Sequence, residues 1–192
     1  MPLRKYEINT VFLFSPELLL KIIQMEPKVS IIMGSTSDLP VMEAAAKILN
    51  DFKIPFEITA LSAHRTPEEA GEFARNAASR GIKVIIAAAG MAAHLPGVIA
   101  SMTPVPVIGV PIKASLEGLD SIFSILQMPP GIPVATVGVN AAQNAGILAA
   151  QIIASGDEAV FEEIIKFREG LKKKVLQAND ELKNVKYPYK TN

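Results

Sequence analysis

Three short segments of the chain combine residue types that can hold a phosphate and move a proton. The first is Gly34-Ser35-Thr36-Ser37-Asp38, in which three hydroxyls follow a glycine. Such a segment can turn the chain and cap a helix. It also suits a phosphate, because backbone N–H groups at a helix start point toward an anion. It lacks the lysine of a nucleotide-binding P-loop. The second is Ser62-Ala63-His64-Arg65-Thr66-Pro67. Arg65, with Ser35 and Ser62 nearby, can give a phosphate a two-pronged, charge-assisted contact. The third is Gly90-Met91-Ala92-Ala93-His94-Leu95-Pro96-Gly97, whose small residues leave room for a compact group. The chain has two histidines, and His64 and His94 fall one in each of these last two segments. Histidine has an ordinary pKa of about 6.5, which suits acid–base work near neutrality. Two histidines without a nearby carboxylate cluster are too few for a typical catalytic zinc site. Met91 is read as a packing residue.

The spacing of apolar residues shows what must position these segments. Val29–Met33, Phe56–Leu61, Val84–Ala88, Val105–Val110 and Pro133–Val137 read as short buried strands. Between them lie helical patterns at Leu39–Asn50, from Pro67 to about Arg80, near Leu95–Ser101, at Leu119–Gln127 and over Ala141–Ala154. Thr66-Pro67-Glu68-Glu69 has the form of a capping box with proline at the first helical position, and Gly81 stops that helix. Phe161, Ile164, Ile165, Leu171 and Val175 mark a last amphipathic helix. Strands alternating with helices predict a three-layer α/β fold, a doubly wound parallel sheet of flavodoxin-like order 2-1-3-4-5, plus the C-terminal helix. Ligands of such folds bind at the carboxyl ends of the strands, beside the order reversal, where all three segments fall.

Composition narrows the function. The 192 residues carry 19 basic and 19 acidic side chains, a balance that argues against a nucleic-acid binder. Cysteine is absent, which excludes disulfides, thiolate metal sites and a cysteine nucleophile. Between Val84 and Gly156 the only charged side chains are Lys113, Glu117 and Asp120, and 25 residues of the chain are alanine. A stretch so poor in charge predicts burial on both faces and between subunits. Prolines 96, 104, 106 and 111 break the one stretch long enough to span a membrane. The expected organisation is an N-terminal extension over 1–26, one α/β catalytic domain over 27–156, and a helix and tail over 157–192. In the extension, Ser15-Pro16-Glu17 reads as the start of a short helix. No secretory cleavage site follows, so a cytoplasmic location is expected. Met25 is an alternative start, and starting there is expected to preserve activity. From the residues alone, the chain is an enzyme for a small phosphorylated metabolite, with no way to name it.

Taken together, the three segments resemble the N5-carboxyaminoimidazole ribonucleotide mutase family of purine biosynthesis, in its bacterial mutase class (the phosphoribosylaminoimidazole carboxylase catalytic subunit family). The resemblance spans about residues 29–155. It rests on Met33-Gly34-Ser35 with Ser37-Asp38, on Ser62 to Pro67, and on Ala92-Ala93-His94-Leu95-Pro96-Gly97. It continues through Gly109-Val110-Pro111, Gln127-Met128-Pro129, Gly131-Ile132-Pro133 and Asn144-Ala145. Met91 departs from it, standing where the family usually has glycine, and the extension has no counterpart. The resemblance implies an isomerase that moves a carboxylate from the exocyclic nitrogen of an aminoimidazole ribonucleotide to ring carbon 4. The substrate would decarboxylate in place and recapture the carbon dioxide. It implies His64 as the acid–base residue, phosphate contacts from Ser35, Ser62 and Arg65, and a ribose contact from Asp38. Ser37, Gly90, Ala93 and His94 complete the substrate-binding set, with the loop from Gly90 to His94 around the carbon dioxide. It implies no metal, ATP or biotin, and a homo-oligomer, an octamer, with Gln127-Met128-Pro129 at a subunit boundary.

Three rivals remain at this level. A carboxylase of the same fold, using free carbon dioxide, lacks the Ala-His-Leu-Pro-Gly loop. A flavodoxin-like FMN carrier needs aromatic side chains in these loops, which have none. A phospho-receiver needs acidic residues where strand 3 ends in Ala87-Ala88-Ala89-Gly90.

Overall fold

A computed structural model describes residues 25–192. The extension's expected helix and residues 1–24 lie outside the described residues. Five strands form one parallel sheet: β1 (Val29–Met33), β2 (Phe56–Ala60), β3 (Val84–Gly90), β4 (Val107–Ile112) and β5 (Ala135–Thr136). Their order is β2-β1-β3-β4-β5, with every pair parallel, as the alternating pattern predicts. The helices are α1 (Leu39–Asp51), α2 (Pro67–Asn76), α3 (Leu95–Ala100), α4 (Leu119–Leu126), α5 (Ala142–Ala154) and α6 (Glu158–Leu182). Among the described residues, no helix is long and apolar enough to cross a membrane.

The central strands are apolar on both sides because both sides are covered. Val29, Ile31, Met33, Val84, Ile86, Ala88, Ile108 and Val110 face one layer, with Met42, Ile48 and Leu49 of α1 and Ala145 and Ala149 of α5. The intervening residues, Ile32, Ile85, Ala87 and Val107, face the other layer, with Ala70 and Ala74 of α2, Ile99 of α3 and Ile125 of α4. This alternation is the period-2 geometry of a strand buried on both faces. Glycine permits the closest approaches. A Cβ on Gly109 would lie 2.4 Å from Ile125 Cγ2, and one on Gly146 would lie 2.3 Å from Ile48 Cγ2. The first brings α4 onto the backbone of β4, and the second brings α5 onto α1.

Several local expectations are revised. Strand β3 runs on to Gly90, so Ala89 and Gly90 belong to the sheet and carry its edge into the site. Strand β4 starts at Val107, because Pro104 and Pro106 lack the N–H that a ladder needs. Helix α2 loosens into turns after Asn76 before Gly81, at φ +84, reverses the chain. Thr66 stands at its N-cap but makes no capping hydrogen bond. Its hydroxyl instead turns back to the preceding loop. Strand β5 shrinks to two residues at the sheet edge. On α6, Val160 and Ile164 are buried against the domain, whereas Phe161, Ile165, Leu171 and Val175 stay exposed. The amphipathic stripe is therefore wider than the surface it covers within one chain.

Candidate active site

The parallel register aligns the carboxyl ends of β1, β2 and β3, with Met33 level with Ala60 and Ala88. The three loops that follow therefore converge. They line a half-open cavity of about 460 Å³, within the range of small-molecule sites. Ser35, Ser37, Asp38, Ser62, His64, Arg65, Gly90 and His94 all line it. Ala93 does not. It is 1% exposed and packs into the core with Leu95 and Ile99. The chain turns so tightly there that the side chain before His94 points inward.

The loop after β1 is closed by its own hydroxyl, since Ser37 N–H donates to Ser35 Oγ at 3.2 Å. That contact caps a 3-10 turn, Thr36–Asp38, which leads into α1. Asp38 is half-buried. Its carboxyl is held above the ordinary carboxylate range mainly by that burial, partly offset by the Ser37 hydroxyl, which donates to Oδ1 at 3.2 Å. The sign of the consequence is fixed by linkage. An acid whose folded pKa is raised binds protons more tightly when folded. It therefore costs stability as pH rises from its ordinary 3.8 through the raised value, and the full cost persists above. Asp38→Asn should melt at a higher temperature than the parent at pH 7, with the gap closing below about pH 3.8. An unchanged melting temperature at pH 7 would show that the buried charge is not costly.

The loop after β2 is braced twice. Thr66 Oγ1 accepts from Ser62 N–H at 2.9 Å and donates to Ser62 C=O at 3.1 Å. Ser62 Oγ accepts from Arg65 N–H at 3.2 Å and from Arg65 Nε–H at 3.3 Å. Arg65 Nη2–H also donates to Gly34 C=O in the neighbouring loop. The guanidinium is thus fixed across both hydroxyl-bearing loops, with further N–H donors left over for an anion. That places Ser35, Ser37, Ser62 and Arg65 around one polar corner.

The loop after β3 brings the second histidine across. Met91 has φ +54, and two successive tight turns follow: Ala93 N–H donates to Met91 C=O at 2.8 Å, and His94 N–H to Ala92 C=O at 2.7 Å. His94 ends at the N-cap of α3, with its Nδ1 2.8 Å from His64 Nε2 and the rings edge to face. One of these nitrogens must donate and the other accept, so the pair shares a single proton along that line. Both rings are exposed to the cavity, where a substrate can exchange a proton with them. Among the described residues, no three His, Cys, Asp or Glu side chains gather as a metal site.

The opposite wall is one the sequence reading missed. Ile112 and Ala114, at the end of β4, line the cavity beside Ala89, Gly90, Ala92 and Leu95. A Cβ on Gly90 would lie 3.4 Å from Ala114 Cβ and 3.4 Å from Ile112 C=O, so that wall is closed. Their signal was position alone: β4 neighbours β3, and its carboxyl end opens on the same edge. Met91, read as packing, is in fact 59% exposed and lines the cavity.

A family model described as AIR carboxylase matches residues 28–174. The N5-carboxyaminoimidazole ribonucleotide mutase of Thermotoga maritima is 56% identical over 162 residues, 84% of this chain and 95% of that protein. The protein of that name from Pyrococcus abyssi is 60% identical over 148 residues, 77% of this chain and 85% of its own length. The phosphoribosylaminoimidazole carboxylase of Schizosaccharomyces pombe is 56% identical over 160 residues, which span 83% of this chain and 29% of that protein. Among solved structures, Treponema denticola PurE is 31% identical, with a TM-score of 0.75 over 82% of this chain and 99% of its own.

Proposed function

The chain belongs to the AIR carboxylase family, and from that premise we propose that it is a mutase of purine biosynthesis, moving a carboxylate within an aminoimidazole ribonucleotide. The substrate is N5-carboxyaminoimidazole ribonucleotide and the product its 4-carboxy isomer. The observation that carries this is the placement of the His64–His94 pair between the Arg65 corner and the apolar wall of Ala89, Gly90, Ile112 and Ala114.

In this reading the phosphate sits against Arg65, Ser35, Ser37 and Ser62, and Asp38 accepts from a ribose hydroxyl. His64 faces the aminoimidazole ring. The bond between the exocyclic nitrogen and its carboxylate breaks. Its electron pair stays on the nitrogen, which takes a proton from His64, and carbon dioxide is released. Carbon 4 then attacks the carbon dioxide with the enamine electron pair of the ring, and the proton on carbon 4 passes to His64. Atoms balance, so the net change is an isomerisation that consumes no cofactor or metal. The cavity must stay closed between the two halves, because escaped carbon dioxide wastes a turnover.

The competing reading is direct carboxylation of aminoimidazole ribonucleotide by free carbon dioxide; the fungal relatives are named phosphoribosylaminoimidazole carboxylases. Assaying the protein with each substrate separates the two. Turnover of the carboxyamino compound without added bicarbonate is expected; turnover only of aminoimidazole ribonucleotide with bicarbonate would replace the mutase by the carboxylase.

The same proposal includes a cytoplasmic homo-oligomer, an octamer. What supports assembly is the apolar surface one chain leaves uncovered. Leu119, Phe123 and Leu126 of α4 and Phe161 and Ile165 of α6 are all exposed. Closed symmetric assembly is the common way to bury such faces. Gln127-Met128-Pro129 follows directly on α4, and a Cβ on Gly97 of α3 would lie 3.1 Å from Met128 Sδ. A subunit boundary at that segment would bear on the helix whose N-cap is His94. Light scattering should give the mass of eight chains; a stable, active monomer at assay concentration would end this part of the proposal.

A further inference from the structure

Among the described residues, no packing contact accounts for Met91. Its backbone lies in the left-handed region at φ +54, where a side chain costs about 1–2 kcal/mol that glycine avoids. A core contact could offset that cost, but Met91 is 59% exposed and belongs to neither of the two buried clusters. The side chain does have one place to be: it lines the cavity. Strain of this kind gathers where a site needs a particular side chain.

Its surroundings say what that side chain can do. The sheet order places the loops of β1 and β2 on one side and the ends of β3 and β4 on the other. Ser35, Ser37, Asp38, Ser62 and Arg65 belong to the first side. Ala89, Gly90, Ala92, Ile112 and Ala114 belong to the second and bring no side-chain hydrogen-bond donor. Among the residues lining that side His94 alone carries a polar side chain, and it is engaged with His64, so a small neutral molecule there is held mainly by enclosure. The backbone that follows is locked by the two tight turns from Met91 to His94. The movable part of this loop is the Met91 thioether chain, which is unbranched, polarizable and able to fit an irregular gap.

We propose that the Met91 side chain is the cover of the apolar side of the cavity, and that it sets what fraction of the released carbon dioxide is recaptured rather than lost. The proposal rests on the mutase reading above. It gives Met91 no part in proton transfer or in phosphate binding.

The test is a partition measurement. The parent and the variants Met91→Gly, Met91→Ala and Met91→Leu are given substrate labelled with carbon-13 in the carboxylate, in unlabelled bicarbonate buffer. The readout is labelled 4-carboxy product against free aminoimidazole ribonucleotide. The parent should convert nearly all its substrate to labelled product. Met91→Gly and Met91→Ala should both lose label and release aminoimidazole ribonucleotide severalfold more often per turnover. Met91→Leu, apolar and of similar length, should hold the label. Met91→Gly removes the backbone strain and Met91→Ala keeps it, so a loss in the glycine variant alone would assign the effect to loop freedom and overturn the proposal. Full retention in both truncations would overturn it as well. A parent that draws its product carbon from the buffer would instead bring down the mutase reading, and this proposal with it. Melting curves of the three variants confirm that each is folded when the partition is measured.

Discussion

His64→Asn should lower turnover by about 100-fold or more while leaving nucleotide binding measurable, the usual scale for losing a general acid–base group. Asparagine is polar and no larger, but its amide ends near the position of the ring Nδ1 and gives up the contact that His64 Nε2 makes with His94 Nδ1 at 2.8 Å. It can neither give nor take a proton near neutral pH. The proposed reaction needs both acts, one as the carbon–nitrogen bond breaks and one as carbon 4 loses its hydrogen. His94→Asn should be less damaging, because His64 keeps its proton chemistry and loses only the partner that orients it. The measurement is turnover of both variants beside direct binding of the ribonucleotide. Near-normal turnover in His64→Asn would take that histidine out of the mechanism and leave His94 as the candidate.

Arg65→Lys should weaken ribonucleotide binding by about 1–3 kcal/mol, the scale of a hydrogen bond to a charged group and of an unmet polar contact. The charge survives the change, but the geometry does not. Arg65 now reaches Ser62 Oγ through Nε and Gly34 C=O through Nη2 at once, tying the loop after β2 to the loop after β1. A lysine ammonium is a point donor on a flexible stem and cannot bridge two loops while also presenting a planar pair of N–H groups to a phosphate. Titration calorimetry with the ribonucleotide, compared with its dephosphorylated nucleoside, reads the effect. The loss should be confined to the phosphorylated ligand. Equal affinity of parent and variant for the ribonucleotide would move the phosphate away from Arg65.

The fold was legible because each central strand carries its burial in its own sequence. Val29–Met33, with Ser30 its one polar residue, and Val84–Ala88 are runs with no exposed face, which only a two-sided cover explains. The helices between them keep their 3.6-residue spacing. What could not be read is where a side chain turns when the backbone leaves its regular period. Thr66 fits the pattern of a helix cap, yet its hydroxyl is spent on Ser62, because the loop needed closing more than the helix needed capping. Ala93 stands between two cavity residues in sequence and points into the core, because two tight turns in succession reverse the direction of alternate side chains. Met91 looked like packing because methionine usually is; its left-handed backbone, invisible in the sequence, brings it to the cavity. The apolar wall from Ile112 and Ala114 went unseen for another reason. Its residues carry no distinctive chemistry, and only the order of the sheet brings them to the site. The polar corner was the easiest part to find, since Ser35, Ser37, Ser62 and Arg65 are unusual residues at strand ends.

The central claim is that the carboxylate travels within one closed cavity, from the nitrogen of a ribonucleotide to carbon 4 of the same molecule. It is tested most directly by supplying unlabelled N5-carboxyaminoimidazole ribonucleotide to the parent protein in buffer enriched in carbon-13 bicarbonate, with mass spectrometry of the product after a single turnover. The account predicts a 4-carboxy product that carries no label, because its carbon never leaves the space between His64 and Ile112. A product labelled to the level of the buffer would contradict it and show an enzyme that fixes dissolved carbon dioxide.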